Sequence, residues 1–456
     1  MYSKKFLLLL CGFAIVFQVT AQSPGLDWDK SYDNGYWTSF KDIKQTDDNG
    51  FIICGNGSEE GTDLYEDILL IKIDAEGNTE WEKRIGEPES SEYAYSMLIA
   101  EDGGYILAGK KWKNRSILLV KTNSNGELEW EKEYYTDASK SEPAKLIKDQ
   151  DNNYYITGYA EGITGSKGEQ DAFQIKTNSS GEVIWSKNYG GTSDDCGKNI
   201  LLLDDGGSVI IGWTMSFGVE NYSAYFVTTG SDGNEVSKKI KDVRCNGGMP
   251  TYDKDYIIFG WQYDGPNSIS ASRIVEFDEE FNESWSRTFD DIVVRALVEC
   301  PSGELILVAD GLIVKLDADN YEDWRQEAGY TNNAGIISGD GSLVMVGDQD
   351  GVKGILIKTN PFISSAGIAR GINEPGIELL PNPSLDQVNI KLTRTFSAPI
   401  NICMFSADGK MVLQKNINMY PYPENITLDL SGYPGGIYMI GVFSGSQVQS
   451  ARLIIQ

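Results

Sequence analysis

The sequence predicts an all-β protein: a seven-bladed β-propeller closed by its own N-terminal strand, followed by a small Ig-like β-sandwich. Three observations carry that reading. Tryptophan recurs at Trp28, Trp81, Trp130, Trp185, Trp285 and Trp324, with Ser237 in the equivalent place, at intervals of roughly 50 residues; a period of this size built from strands suits propeller blades. Short β-branched or aromatic runs recur with it (FIICG, YILAG, YYITG, SVIIG, YIIFG, LILVA and LVMVG) and no helical period is sustained between them. A turn stands at constant distance before each tryptophan position, opened by Asp74, Asn123, Asn178, Gly230, Asp278 and Asp317.

Three residues into those turns come Gly77, Gly126, Gly181 and Gly233, then Phe281 and Asn320. Asp or Asn opening a type I turn, with a left-handed residue closing it, is a tight hairpin. Asn320 tolerates the left-handed conformation. Phe281 does not, so the fifth unit is expected to shift its turn onto Asn282. In the first unit the four strands are expected at Lys41–Thr46, Phe51–Gly55, Ile68–Asp74 and Thr79–Ile85. Seven inner three-strand sets follow one another, the last ending at Ile355–Asn360 without a tryptophan hairpin, whereas Leu26–Tyr32 is a tryptophan strand with no blade before it. Pairing the two closes a ring and leaves only short, protected edges. The repeating tryptophans then pack between blades.

Lys4 and Lys5 precede the apolar run Phe6–Val19, and Val19-Thr20-Ala21 precedes Gln22, so residues 1–21 read as a secretory signal peptide. The propeller occupies 22–362, a Gly- and Pro-containing linker 363–376, and a second module 377–456. That module alternates apolar residues over Val388–Leu392, Ile400–Phe405, Ile426–Leu430, Ile437–Phe443 and Ala451–Ile455, the pattern of a small sandwich. No stretch beyond the signal peptide is apolar for the ~18 residues a membrane span needs. Cys54, Cys196, Cys245, Cys300 and Cys403 remain after cleavage; Cys54 and Cys300 lie in apolar strands, and an exported compartment permits a Cys196–Cys245 disulfide.

The formal charge of -28, from 67 Asp+Glu against 39 Lys+Arg, argues against a nucleic-acid partner. The chain has no histidine, which excludes Ser-His-Asp and Cys-His catalysis and the usual zinc sites. No metal-ligand set or other cofactor is expected. Calcium is the one ion the carboxylates bring into consideration, at Glu59/Glu60/Asp63/Glu66/Asp67 and Asp194/Asp195, although those runs lack the alternating pattern of a calcium loop. Asp317–Asp323 coincides with a repeat hairpin and reads as a turn.

LLPNPSLDQVNIKL at Leu379–Leu392, FSADGKMV at Phe405–Val412, LDLSGYPGGIYMIGV at Leu428–Val442 and the ending ARLIIQ resemble the type A sorting domain of the type IX secretion system of Bacteroidetes. The resemblance implies export by a signal peptide, passage across the outer membrane by the type IX machinery, and removal of the module with release or attachment to surface lipopolysaccharide. Asp102-Gly103-Gly104-Tyr105 to Gly109, Asp205-Gly206-Gly207 to Gly212 and Tyr189-Gly190-Gly191 resemble the DGG-type propeller repeats found upstream of such domains, a scaffold that implies no particular activity.

Function must therefore be sought on a surface. The long connections 56–66, 110–116, 159–170, 213–222 and 261–270 share one face of the ring, and Trp112, Tyr159, Trp213 and Trp261 follow the strand-ending glycines there, joined by Tyr36 and Trp37 from the other loop set. These aromatics are out of phase with the repeating tryptophans. Rigid amphipathic rings among carboxylates suit a sugar or a protein hot spot, so the expected role is a glycan- or protein-binding module at the cell surface or secreted. The alternative is a glycoside hydrolase or other polysaccharide-active enzyme using paired carboxylates.

Overall fold

The computed structural model describes residues 23–32, 37–59, 62–135, 138–162, 165–219, 222–251, 254–265, 268–300, 303–317, 319–349, 352–362, 377–392, 400–406, 411–417, 425–444 and 447–455. The expected signal peptide, the expected 363–376 linker and Tyr36 lie outside them. Every regular element among the described residues is a strand.

Five four-stranded antiparallel sheets follow one another along the chain. The first is β2 (Thr38–Gln45), β3 (Phe51–Glu59), β4 (Thr62–Ile73) and β5 (Thr79–Ile85); the second is β6 (Glu92–Ile99), β7 (Tyr105–Lys111), β8 (Ser116–Thr122) and β9 (Leu128–Tyr134). The third is β10 (Lys140–Lys148), β11 (Tyr154–Glu161), β12 (Gln170–Thr177) and β13 (Val183–Tyr189); the fourth is β14 (Asp195–Leu202), β15 (Ser208–Thr214), β16 (Ser223–Thr229) and β17 (Glu235–Arg244). The fifth is β18 (Gly247–Pro250), β19 (Tyr256–Gly265), β20 (Ser268–Phe277) and β21 (Glu283–Asp290). A six-stranded sheet then joins β22 (Val294–Glu299), β23 (Leu305–Leu316), β24 (Glu322–Ile337), β25 (Leu343–Gln349) and β26 (Lys353–Thr359) to β1 (Leu26–Tyr32). It is continuous because β24 runs on: Glu322–Glu327 pair with β23 and Thr331–Ile337 with β25. The successive four-stranded sheets are those of a β-propeller.

The N-terminal strand sits where the sequence places it. β1 pairs antiparallel with β26 and sets Trp28 opposite Lys358, the register that Trp81 holds opposite Lys72 and Trp130 opposite Lys121. The cores lie between neighbouring sheets; one joins Ile52, Cys54, Ile68 and Leu70 of the first to Met97, Leu107 and Leu118 of the second.

The turns follow the expected chemistry at Gly77, Gly126, Gly181, Gly233 and Asn320, whose φ angles lie between 62° and 80°. The fifth unit corrects the expectation. Its turn does not move to Asn282: Phe281 itself takes φ 65° and donates its amide to Asp278 O at 2.9 Å. The ring is the reason. Phe281 is buried, stacked on Tyr256 at 5.0 Å and packed against Phe226 at 5.0 Å, and burying an aromatic side chain is worth about 1.5–3 kcal/mol, enough to hold a conformation that disfavours a Cβ by about 1–2 kcal/mol.

All five described cysteines are free, buried thiols, Cys196 and Cys245 included. Beyond the linker, β27 (Ile377–Leu380), β28 (Gln387–Leu392) and β31 (Asn425–Asp429) form one sheet, and β29 (Ile400–Ser406), β30 (Met411–Ile417), β32 (Gly436–Ser444) and β33 (Gln447–Ile455) another. One apolar cluster, including Val388, Ile390, Ile402, Ile440 and Leu453, draws on both.

Candidate functional site

Two of the five long connections of the expected binding face are hairpin arms. In the first sheet pairing runs past Gly55 through Gly57↔Asp67 and Ser58↔Glu66 to Glu59↔Thr62, and in the fifth through Trp261↔Ser272 to Gly265↔Ser268. Tyr159, Trp213 and Trp261 therefore lie within β11, β15 and β19, held by backbone ladders and half-buried. Trp37 and Trp112 stand outside strands and are 54% and 59% exposed.

Trp213 and Trp261 each meet residues that the sequence did not single out. Trp213 meets Tyr222 edge-to-face with ring centroids 4.8 Å apart. The Arg244 guanidinium lies 6.0 Å from the Tyr222 ring and 4.8 Å from the Tyr263 ring. Arg295 lies 4.8 Å over the Trp261 ring and clamps Asp310 with two hydrogen bonds, Nε to Oδ1 at 2.8 Å and Nη2 to Oδ2 at 2.7 Å. That pairing, with the Asp310 charge, holds the Arg295 pKa above its usual value. The Trp261 indole donates to Val294 O at 2.7 Å and its amide to Asn246 Oδ1 at 2.7 Å. The result is a strip of four aromatics and two guanidiniums across the fourth, fifth and sixth units, with Tyr222 and Tyr263 40% and 43% exposed. A cation over an aromatic face contributes about 0.5–2 kcal/mol, more as water is excluded.

Trp112 and Tyr159 form a second group. Lys110 Nζ lies 4.9 Å over Trp112 and reaches Glu142 at 4.0 Å, and Lys140 Nζ lies 5.1 Å over Tyr159. The Tyr95 and Tyr159 phenols both hydrogen-bond the Glu142 carboxylate, and burial together with that charge pushes both phenol pKa values up. Trp37 joins neither group through a ring contact among the described residues.

The inner strands share a feature that aims side chains. Pairing between first and second strands skips one residue at Lys41, Tyr95, Ala144, Lys198 and Arg295, and between β24 and β25 at Asn333. A bulge bends the strand and redirects the extra residue. Arg295 reaches Asp310 from such a bulge, and Asn333 donates to Asp348 Oδ2 at 3.0 Å and to Phe40 O at 2.9 Å. Bulges are properties of pairing between strands, and nothing in one strand's own sequence marks them.

Residues 378–456 match the family described as the secretion system C-terminal sorting domain. Such a domain directs type IX secretion, so the chain is an exported protein, secreted or displayed at the cell surface. No curated protein matches the sequence. Among solved structures the chain is similar to the Dos1 propeller, with 12% identity over 71% of this chain and 78% of that one and a TM-score of 0.45. It is also similar to streptogramin B lyase, with 11% identity over 73% and 98% and a TM-score of 0.44. A third is the β-propeller domain of the trilobed protease from Pyrococcus furiosus, with 9% identity over 71% and 93% and a TM-score of 0.44. These likenesses concern the fold alone.

No helix among the described residues is long and apolar enough to cross a membrane.

Proposed function

We propose that the chain is an exported binding protein: a seven-bladed propeller, its seventh blade completed by β1, that presents a glycan-binding strip on the face carrying the long hairpins. The observation that carries this reading is the clustering of Trp213, Tyr222, Arg244 and Tyr263 by ring and cation contacts, with Trp261 under Arg295 two residues from Tyr263 on the same strand. Aromatic rings offer apolar faces for sugar C–H groups, and the guanidiniums between them donate to hydroxyl, carbonyl or carboxylate oxygens in fixed geometry. Trp213, Trp261 and Tyr263 are carried on strands and lose little freedom on binding, which favours affinity. In this reading the leader is residues 1–21, the propeller 22–362 and the sorting module 377–456, an Ig-like sandwich whose removal releases the propeller or leaves it attached to surface lipopolysaccharide, as in the Bacteroidetes proteins with DGG-type repeats that it resembles.

A glycan array probed with residues 22–362 tests the proposal. Binding to a defined set of glycans supports it, and a blank array with capture of a protein partner instead would overturn it in favour of an adhesin. Release of reducing ends from a bound polysaccharide would assign the alternative, a carboxylate-based hydrolase.

A further inference from the structure

The seam between the third and fourth sheets buries two carboxylates side by side. Asp171, near the start of β12, is 1% exposed, and Asp195, which opens β14, is 0% exposed. Gly190, just after β13, lies between them: a Cβ there would come 2.2 Å from Asp171 Oδ1 and 2.6 Å from Asp195 Oδ2. The two groups are thus no more than about 5 Å apart, where two like charges repel strongly unless a counter-charge lies between them.

Each carboxylate has one oxygen well supplied with donors. Ser166 Oγ (2.8 Å) and the Lys167 amide (2.6 Å) donate to Asp171 Oδ2, and the Gly191 amide and Ser216 Oγ, both at 2.8 Å, to Asp195 Oδ2. Such donors favour the charged form. Asp171 Oδ1 is buried with no donor in hydrogen-bonding geometry, as is the hydroxyl of Tyr225, and Asp195 Oδ1 is buried without a well-aligned donor, the Thr214 hydroxyl standing beside that carboxylate. Tyr225 is 0% exposed and packs in the same seam against Ala172 and Tyr189, the neighbours of Asp171 and Gly190. Leaving one such group unsatisfied costs about 1–3 kcal/mol, and more when it is charged.

The arrangement recurs two sheets earlier at equivalent positions. Asp67 of β4 and Glu92, which opens β6, flank Gly86, where a Cβ would come 2.0 Å from Asp67 Oδ1 and 2.8 Å from Glu92 Oε2; Glu92 Oε1 is buried without a well-aligned donor, the Ser90 hydroxyl standing beside that carboxylate. At the seam between them the same two positions hold Ser116 and Ser141, whose hydroxyls donate to Glu133 and to Arg115 O. The acidic pairs therefore replace hydroxyls at two chosen seams.

We propose that Asp171 and Asp195 hold a hard divalent cation of the calcium class, with the Tyr225 hydroxyl turned toward it, and that Asp67 and Glu92 form the equivalent site between the first and second sheets. A cation with oxygen ligands neutralises the paired charge and satisfies the orphaned oxygens together. Among the described residues no group of three or more acidic or thiol side chains gathers, so hydroxyl, carbonyl and water oxygens complete each shell. The first site would fasten the β11–β12 hairpin to the loop leading into β14, on the long-hairpin face.

The test uses the full secreted chain stripped with EGTA, titrated calorimetrically with calcium chloride and melted with and without calcium. Two equivalents bound and a melting temperature several degrees higher in calcium are expected. Asp171→Asn should bind one equivalent and gain less from calcium, while melting in EGTA no lower than wild type because a buried repulsion has gone. No heat of binding together with identical melting curves in calcium and EGTA would overturn the proposal. If Asp171→Asn does not fold, calcium counted by atomic emission on the wild-type protein decides: two per chain supports the sites and none excludes them.

Discussion

Trp185 lies against Gly233 of the next sheet so closely that a Cβ there would come within 2.7 Å of indole Cε3 and Cζ3. Trp81 covers Gly126 and Trp130 covers Gly181 in the same way, at 2.6 and 2.9 Å. The turn glycine serves two purposes at once: it takes a left-handed φ and makes room for the ring. At the following seam the sizes are reversed. Ser237 holds the tryptophan register, opposite Thr228, and Phe281 holds the turn.

That reversal is testable as a double-mutant cycle. Gly181→Ala should cost about 1–3 kcal/mol in urea unfolding, from strain and lost space together. Phe281→Gly should cost about 3–5 kcal/mol by emptying the cluster around Phe226 and Tyr256. Adding Ser237→Trp to Phe281→Gly should restore part of that loss, whereas Ser237→Trp alone should destabilise. Additive effects would mean that the two residues do not share the space.

Acid sensitivity follows from a second repeated device. The third strands carry buried lysines: Lys72 meets Asp48 and Glu80, both at 2.9 Å, Lys121 meets Asp102 and Glu129 at 2.8 and 2.9 Å, and Lys358 meets Asp340 at 2.8 Å. Burial would raise the Asp48 carboxyl, but the Thr46 hydroxyl, Lys72 and the Gly50 amide together bring it down to about 2. The Lys121 ammonium likewise lowers Asp102, and Asp340 is lowered by Lys358 and Ser338 against its burial. A lowered folded-state pKa gives stability that is present above the ordinary carboxylate value and lost as pH falls through the folded one, so melting temperature should drop between about pH 4 and 2. Asp48→Asn with Asp102→Asn should flatten that drop. Asp195 and Glu92 have the opposite sign: burial, with the neighbouring Asp171 or Asp67 charge adding to it, raises both, so their contribution is present below the ordinary value and fades as pH rises through the folded one.

The thiols should be silent in the folded protein. Burial pushes Cys245, Cys300 and Cys403 up to about 12 and raises Cys54 and Cys196 as well, and reactivity belongs to the thiolate. A thiol-specific reagent at neutral pH should label none of the five until denaturant is added. Rapid labelling of Cys196 or Cys245 in native buffer would contradict this packing.

Local chemistry was the legible part of the sequence. A turn such as Asn123 to Gly126 is specified within a few residues, and the Trp28 strand declares itself by repeating a pattern out of place. The arms around Asn56 and Glu66 read as loop because their residues are polar, yet they pair because the apolar strands beneath them set the register. Phe281 misled for a tertiary reason: what holds it left-handed is Phe226 and Tyr256, remote in the chain. The same is true of the strip. Arg295 reaches Trp261 and Asp310 only because a bulge turns it, and Arg244 meets Tyr222 and Tyr263 from the end of an outer strand. Asp171 and Asp195 become neighbours only because the start of a third strand and the start of the next inner strand lie at the same end of the ring.

Affinity electrophoresis of residues 22–362 through gels containing soluble polysaccharides, wild type beside Trp213→Ala/Trp261→Ala, decides whether these aromatics bind sugar. Retardation of the wild type by at least one polysaccharide is expected, with loss of that retardation in the double variant and far-ultraviolet circular dichroism that remains that of a folded β protein. Equal retardation of the two proteins, or none for the wild type in any gel, would contradict it.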